Sequence, residues 1–343
     1  MSWTNSFSVG SKIENEFFSS RVQSLPMNLS SSKPNVICLM GPTASGKTSL
    51  AVDLVRQHPF QIVSVDSAQI YQQMDIGTGK PDKGVLDIAP HRLIDFIDPA
   101  MSYSASQFRT DALREIDEIL DVGDTPLLVG GTMLYFRVLR DGLARMPHAD
   151  SKIRGDIEKL AQELGWGAVH QQLAAVDPNS AARIHPNDPQ RIQRALEVYR
   201  ISGRTMTSFH AEMHGRQKEE LPYNLHFFAI QPENRGVLHS QIEARFRQML
   251  NEGLVDEVKD LRFRGDLSHQ LPSIKSVGYK QVWKHLDGEI DYDGMVEKSI
   301  IATRQLAKRQ LTWLRSWPNL QSLSNSSAQS AQRVLKYMDT ISI

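Results

Sequence analysis

The chain has 343 residues, and its 39 Lys plus Arg balance 39 Asp plus Glu, so the formal net charge is zero. With 40% hydrophobic and 23% charged residues it lies in the ordinary globular range, and its length fits about two domains. The single cysteine, Cys38, excludes a disulfide scaffold and any zinc or iron–sulfur site built from sulfur ligands, and no run of about 18 apolar residues predicts a membrane span.

Residues 1–33 are rich in Ser and Asn and lack the basic start and apolar core of a secretory signal, so they read as a disordered tail. The organised chain begins with the apolar run Val36–Met40, followed by a Gly/Ser/Thr-rich loop and a helix over Ser49–Gln57. Ile62–Val65 reads as a second buried strand, Gln107–Leu120 as an amphipathic helix, Pro126–Val129 as a third strand and His226–Ile230 as a fourth. Strands alternating with helices predict an α/β fold, a P-loop NTPase-like parallel sheet flanked by helices. Between the third and fourth strands nearly a hundred residues lack a strand pattern. Lys152–Leu164 reads as helix. A second helix runs from Gln190 to Ile201, started by Asn187-Asp188-Pro189 and stopped at Gly203. The expected organisation is therefore a core of 34–146 and 223–318, a helical insertion at 147–222, and a Ser- and Gln-rich tail at 319–343 with one short helix at Ala328–Met338. After Ile230 the core is helical, notably His239–Glu252 and Glu297–Arg315.

The strongest chemical signal is Gly41-Pro42-Thr43-Ala44-Ser45-Gly46-Lys47-Thr48, which fits the nucleotide- and phosphate-binding P-loop pattern in the required strand–loop–helix context. Its glycines let backbone N–H groups face a phosphate, and the helix N-terminus adds partial positive charge. Lys47 supplies a point charge and the Thr48 hydroxyl suits Mg²⁺. Asp66-Ser67-Ala68-Gln69 follows the second strand, at the end where ligands bind in such sheets. Asp66 has two readings there: a metal ligand or general base, and a helix N-cap. The third strand runs into Gly130-Gly131-Thr132 with no acid, which argues against an ATPase.

Charge is uneven along the chain. Val85–Asp124 has nine acids against three basic residues, whereas Lys298–Met338 has seven basic residues and no acid. Arg304, Lys308 and Arg315 share a helical face beside Trp313, with Trp317 following, which fits either a nucleic-acid surface or a solvated face. Further cations lie at Arg183, Arg191, Arg194, Arg200 and Arg204, and Lys275 and Lys280 flank Ser276-Val277-Gly278-Tyr279. Arg245 and Arg247 follow the fourth strand, and one of them is a candidate diphosphate clamp. The eleven histidines show no metal spacing, and His91, His185 and His210 read as structural or surface residues.

These segments, taken in order, resemble the tRNA dimethylallyltransferases (tRNA isopentenyltransferases) over most of Asn35–Trp317. The resemblance rests on the P-loop, Asp66–Tyr71, Met74–Pro81, Gly130–Tyr135, Asp188–Ile192, Val277–Tyr279 and Lys308–Arg315. It implies transfer of a dimethylallyl group from dimethylallyl diphosphate to N6 of adenosine 37, in tRNAs reading codons that begin with U. The P-loop would then hold the donor's diphosphate rather than ATP, with Mg²⁺ on Thr48. Asp66 is implied as general base, and Lys47, Arg245 and Thr132 join it in the catalytic group. The implied tRNA-contacting residues are Asp66, Ser67, Ala68, Gln69, Thr132 and Arg154, then Gln190, Arg191, Ile192, Gln193 and Arg194. They continue with Lys275, Ser276, Val277, Gly278, Tyr279 and Lys280, and end with Lys308, Arg309, Gln310, Leu311, Thr312, Trp313, Leu314 and Arg315. Lys275 and Lys280 stand where members commonly carry Arg, so a bidentate contact is lost there. The resemblance further implies a cytoplasmic monomer. Two rivals remain on sequence grounds: a P-loop kinase, which would turn over ATP, and a non-catalytic RNA-binding protein whose P-loop is only an anion site.

Overall fold

A computed structural model describes residues 33–215, 220–232, 234–324 and 327–341, so residues 1–32 of the expected tail lie outside the described part. The first half of the core contains β1 (Asn35–Met40), α1 (Lys47–Val55), β2 (Phe60–Val65), α2 (Lys83–Ile88), β3 (His91–Arg92), α3 (Ala105–Asp121), β4 (Thr125–Gly130) and α4 (Met133–Asp141). Four helices follow: α5 (Ser151–Val176), α6 (Pro178–Arg183), α7 (Pro189–Ser202) and α8 (Met206–Gly215). The chain returns to the core through β5 (Asn224–Ile230), α9 (Arg235–Asn251), α10 (Leu254–Phe263), α11 (Tyr279–Leu286), α12 (Tyr292–Arg315), β6 (Gln321–Leu323) and α13 (Ser327–Ile341).

The six strands form one sheet in the order β3-β2-β4-β1-β5-β6, and every pairing is parallel. Parallel strands connected through helices are buried on both faces, which is why β1 and β4 read as unbroken apolar runs. One face packs Phe108, Ile116, Phe136 and Trp317 against Cys38, Val63 and Leu128. The other packs Leu50 and Leu54 of α1 against Ile37, Ile62 and Leu127.

Helices α5–α7 share a core of their own, with Ile157, Val169, Leu173, Ile192 and Leu196 buried together. The helix-start signal at 187–189 holds: Asp188 accepts a hydrogen bond from the Arg191 amide, Pro189 opens α7, and Gly203 closes it in the left-handed region at φ 66°. Helix α5 breaks at Gly165 (φ 80°), one residue past the predicted end at Leu164, and then resumes.

The C-terminal stretch differs from the expected tail. Gln321–Leu323 adds an edge strand to β5, and α13 buries Ala331, Val334 and Met338 against α1. A three-residue strand with two polar positions gives no periodic signal, and β3, two residues long after Pro90, escapes notice for the same reason. Leu323, 3% exposed, is the anchor. Leu323→Ala should cost about 2–5 kcal/mol and lower the urea midpoint. An unchanged midpoint would show that this segment is not docked.

Candidate active site

The strand order places the carboxyl ends of β2, β4 and β1 side by side, and their loops enclose a cavity of about 470 Å³. The P-loop wraps with two positive-φ residues, Ala44 at 61° and Gly46 at 85°. Lys47 Nζ donates to the Pro42 carbonyl at 2.7 Å. Burial of the ammonium pulls its pKa down to about 8, with Asp66 raising it and Arg245 adding to the fall. Ser45 Oγ is buried with no hydrogen-bond partner among the described residues.

Asp66 leaves β2 and turns the chain. Its Oδ1 accepts the amides of Ala68 (2.9 Å) and Gln69 (3.3 Å). No helix follows Asp66 directly, so the N-cap reading does not hold: that carboxylate oxygen instead closes a turn, and the residue lines the cavity. Thr132 Oγ1 accepts the Ser67 amide at 3.0 Å and donates to Ser67 Oγ at 3.3 Å, which joins the ends of β4 and β2. Arg245 enters the cavity and donates to the Gly79 carbonyl at 3.3 Å, and burial lowers its pKa. Arg247 instead pairs with Glu243 at 3.0 Å on the exposed side of α9.

Two residues that shape the site were given no role in the sequence reading, although Lys80 lies in the Met74–Pro81 segment. Glu257 accepts the amides of Asp75, Ile76 and Gly77 at 2.9, 2.8 and 3.1 Å, and the Tyr279 hydroxyl at 2.6 Å. Lys80, with 6% of its side chain exposed, donates to Asp75, Asp95 and the Tyr71 carbonyl. These contacts hold the 75–80 loop, whose Gly79 carbonyl also accepts from Gln69 Nε2 at 3.0 Å. A carboxylate 180 positions from its partners is invisible to local pattern. The only trace was the Gly77-Thr78-Gly79-Lys80 run itself.

Some expected RNA-contacting side chains are buried, and others are bonded to partners within the protein. Tyr279 is fully buried and serves Glu257, and Ile192 is a core residue of the helical insertion. Arg154 and Arg194 both bond Glu197, a carboxylate with no exposure, at 2.8 and 2.6 Å. Those two guanidiniums and the Asp150 amide outweigh burial and hold the Glu197 pKa below its usual range. Gln193 bonds Glu158 and the Arg154 carbonyl. Gln310 and Leu314 are buried and Leu311 packs on the core. Gln310 spans two loops, accepting the Thr43 amide and donating to the Gly131 carbonyl, both at 2.9 Å. Helix period explains the pattern, because the segment 308–315 alternates a core face with a surface face. Ser276, Val277 and Gly278 line the cavity. Gln190, Arg191, Lys275, Lys280, Lys308, Arg309, Thr312 and Arg315 are exposed, and Trp313 is half-buried under the Arg137 guanidinium at 5.7 Å. Arg304, expected on the basic face, pairs with Glu243 at 3.1 Å.

No group of three or more His, Cys, Asp or Glu residues among the described ones could hold a metal ion. A cation here needs oxygens from a bound anion as well. The unpartnered Ser45 hydroxyl and the cavity-lining Thr48 hydroxyl fit such an arrangement.

A P-loop cavity lined by Lys47, Arg245 and the carboxylates of Asp66 and Asp82, with no acid ending β4, is the candidate active site of this α/β core. A family model described as IPP transferase matches residues 69–317, and one described as isopentenyl transferase matches 34–92. A tRNA isopentenylpyrophosphate transferase from Bacillus halodurans is 33% identical over 90% of this chain and 96% of its own, with a TM-score of 0.66. A tRNA Δ(2)-isopentenylpyrophosphate transferase from Staphylococcus epidermidis is 32% identical over 90% and 99%, with a TM-score of 0.63. A eukaryotic dimethylallyltransferase acting on tRNA, 24% identical, shares the fold with a TM-score of 0.72 over 90% of this chain and 80% of its own. The chain belongs to the IPP transferase family.

The two kinds of cation should separate experimentally. Arg194→Ala leaves a buried carboxylate short of a donor and should cost about 1–3 kcal/mol, read as a lower thermal midpoint. Lys308→Ala should leave the midpoint unchanged and lower the salt dependence of RNA binding by about one unit of slope. Equal midpoints for both variants would refute the structural role given to Arg194.

Proposed function

We propose that the protein transfers the dimethylallyl group of dimethylallyl diphosphate to N6 of adenosine 37, in tRNAs that read codons beginning with U. The observation that carries this reading is the meeting of Asp66, Lys47 and Arg245 on one cavity. Attack by N6 on C1 of the donor breaks the C1–O bond and releases diphosphate. The leaving group's charge is taken up by Lys47, Arg245 and the P-loop N–H groups, which are already arranged around the cavity. Asp66, with Oδ1 held by two amides, receives the N6 proton on its other oxygen. Magnesium, held by Thr48 and donor oxygens, would add positive charge at the diphosphate. To reach this cavity the base must leave the anticodon-loop stack, at a cost of about a few kcal/mol. Exposed cations at Arg191, Lys275, Lys280, Lys308, Arg309 and Arg315 offset that cost through phosphate contacts and orient the anticodon stem-loop.

The direct test gives the purified protein labelled dimethylallyl diphosphate, Mg²⁺ and an anticodon stem-loop. Label should appear on the adenine next to the anticodon. ATP turnover without RNA labelling would instead support a kinase. Asp66→Asn keeps the oxygen that accepts the Ala68 and Gln69 amides and removes the base. Turnover should fall about 10²–10⁴-fold while RNA affinity stays within about twofold. An equal loss of binding and rate would assign Asp66 to closing the turn or to RNA contact.

Lys47 sets an alkaline limit. Its ammonium is charged below about pH 8 and neutral above, so kcat/KM for the donor should decline as pH rises through that value. Lys47→Arg keeps a positive charge throughout, so the alkaline decline should vanish even if the rate is lower. A pH profile identical in both proteins would rule out Lys47 as the titrating group.

A further inference from the structure

Two arginines of α4 lie over two tryptophans at the end of the α12 segment. The Arg137 guanidinium carbon stands 5.7 Å from the Trp313 ring centre, and that of Arg140 stands 4.5 Å from the Trp317 ring centre. Residues three or four apart share a helix face, so the two pairs are successive rungs of one seam. The rungs differ in access. Trp317 is 8% exposed, and Arg140 donates to Asp141 through Nε and Nη2, at 2.9 and 2.6 Å. That rung belongs to the core. Trp313 is only half-buried, and 55% of the Arg137 side chain is exposed.

The outer rung also keeps its charge. Arg137 Nε approaches Asp141 Oδ2 at 3.9 Å, beyond hydrogen-bond reach, and that oxygen already bonds Arg140 at 2.6 Å. An exposed pair at that distance contributes little. From Lys298 to Arg315 the α12 helix carries no acid, and Asp141 is the one acid of α4. Arg309 shares the Trp313 face one turn earlier, and Leu134, 48% exposed, shares the Arg137 face one turn earlier.

This rung lies beside the cavity. Gln310 and Gly131 both line it, and Gln310 Nε2 donates to the Gly131 carbonyl at 2.9 Å. Trp313 is three residues past Gln310, about 4.5 Å along the helix axis, and Arg137 is six residues past Gly131. Unpaired bases stack on guanidinium planes and aromatic rings, and their phosphates seek exposed cations. A planar cation seated on an indole, with an aliphatic neighbour and a second exposed arginine, offers both. We propose that Arg137 on Trp313 is a stacking platform for an unpaired anticodon-loop base other than the one entering the cavity, with Arg309 on the adjoining phosphate. This rests on the proposed transfer to an anticodon-loop adenosine and adds α4 to the RNA surface. A second base held there keeps the loop open while the target base is out of the stack.

The test is a cycle between side chain and base. The full chain is titrated with an anticodon stem-loop whose loop nucleotides, the target excepted, are made abasic one at a time. Arg137→Ala should weaken binding of the intact stem-loop about tenfold and raise KM for RNA to match, with kcat within about twofold and the thermal midpoint unchanged. At one loop position the abasic RNA should lose affinity for wild type but not for Arg137→Ala, because the contact is already gone. Arg137→Lys keeps the charge without the plane and should behave as Arg137→Ala does in this cycle. The proposal fails if every abasic position costs the two proteins the same. It fails if Arg137→Lys has wild-type affinity, which would make Arg137 a phosphate contact. It fails too if Arg137→Ala lowers the midpoint and weakens all the RNAs alike, which would make the pair a brace between α4 and α12. A wild-type protein that shows the coupling but transfers no dimethylallyl group would overturn the reaction and leave the platform standing. Transfer by wild type, with KM unchanged in Arg137→Ala, would overturn the platform alone.

Discussion

Three parallel strands must end next to one another for this site to exist, and their contacts show how tightly that is enforced. Gly130 ends β4 so close to β2 that a Cβ there would meet the Val65 carbonyl oxygen at 2.0 Å. That approach is what lets Thr132 reach the Ser67 amide. Gln310 then ties the third loop in from α12. A buried side-chain amide is costly unless both ends are paired, and here both are, one to the P-loop and one to Gly131. The segment 308–315 thus does two jobs at helical period, bracing the P-loop on one face and presenting cations on the other.

Two cations of the cavity, Lys47 and Arg245, are held in a way that keeps their charge available, whereas Lys80 is paired with Asp75 and Asp95. Lys47 rests on the Pro42 carbonyl and Arg245 on the Gly79 carbonyl, neutral acceptors that fix direction without neutralising. Arg154, Arg194 and Arg304 are instead matched with carboxylates. Placing Gly79 correctly requires the whole 75–80 loop, and that is the work of Glu257. Three amides and a buried tyrosine hydroxyl satisfy its oxygens. Glycine is needed at 79 because φ is positive there and a Cβ would collide with the Arg245 guanidinium. A loop anchored this firmly gives Arg245 a fixed aim, which suits a group that must meet charge as it develops.

The parts of this architecture legible in the sequence were those written in local pattern. The P-loop, the four longer strands and the caps of α7 depend on residues within a few positions of one another, and each stands where the pattern placed it. Asp66 was legible because it follows a strand at its ligand-binding end, whereas Arg245 was singled out over Arg247 only by the family resemblance. Glu257, Gln310 and Glu197 were not, because most of their partners lie 43 to 267 positions away. The family resemblance located segments well but could not divide a segment into inward and outward faces. That division separates buried Tyr279 from exposed Lys280, and buried Gln310 from exposed Arg309.

A neutral total charge would argue against a polyanionic partner, and the structure shows why the sum misleads. The acids of the 85–124 segment are largely engaged with partners in the same chain. Glu115 and Glu118 hold Arg92, Asp95 holds Lys80 and Asp98 holds Arg264. Asp111 and Asp117 accept tyrosine hydroxyls, and Asp124 accepts from Gln61. Lys308, Arg309 and Arg315, by contrast, lie exposed on the outer face of α12, and Lys275 and Lys280 flank a cavity-lining turn. A charge count weighs an engaged carboxylate and an exposed ammonium equally, but a phosphate at the surface does not. Over a Debye length of about 8 Å at physiological salt, it senses the nearest patch rather than the sum. Affinity built this way scales with the few phosphates actually touched, so a neutral protein can hold RNA with a shallow salt dependence and little non-specific attraction to polyanions.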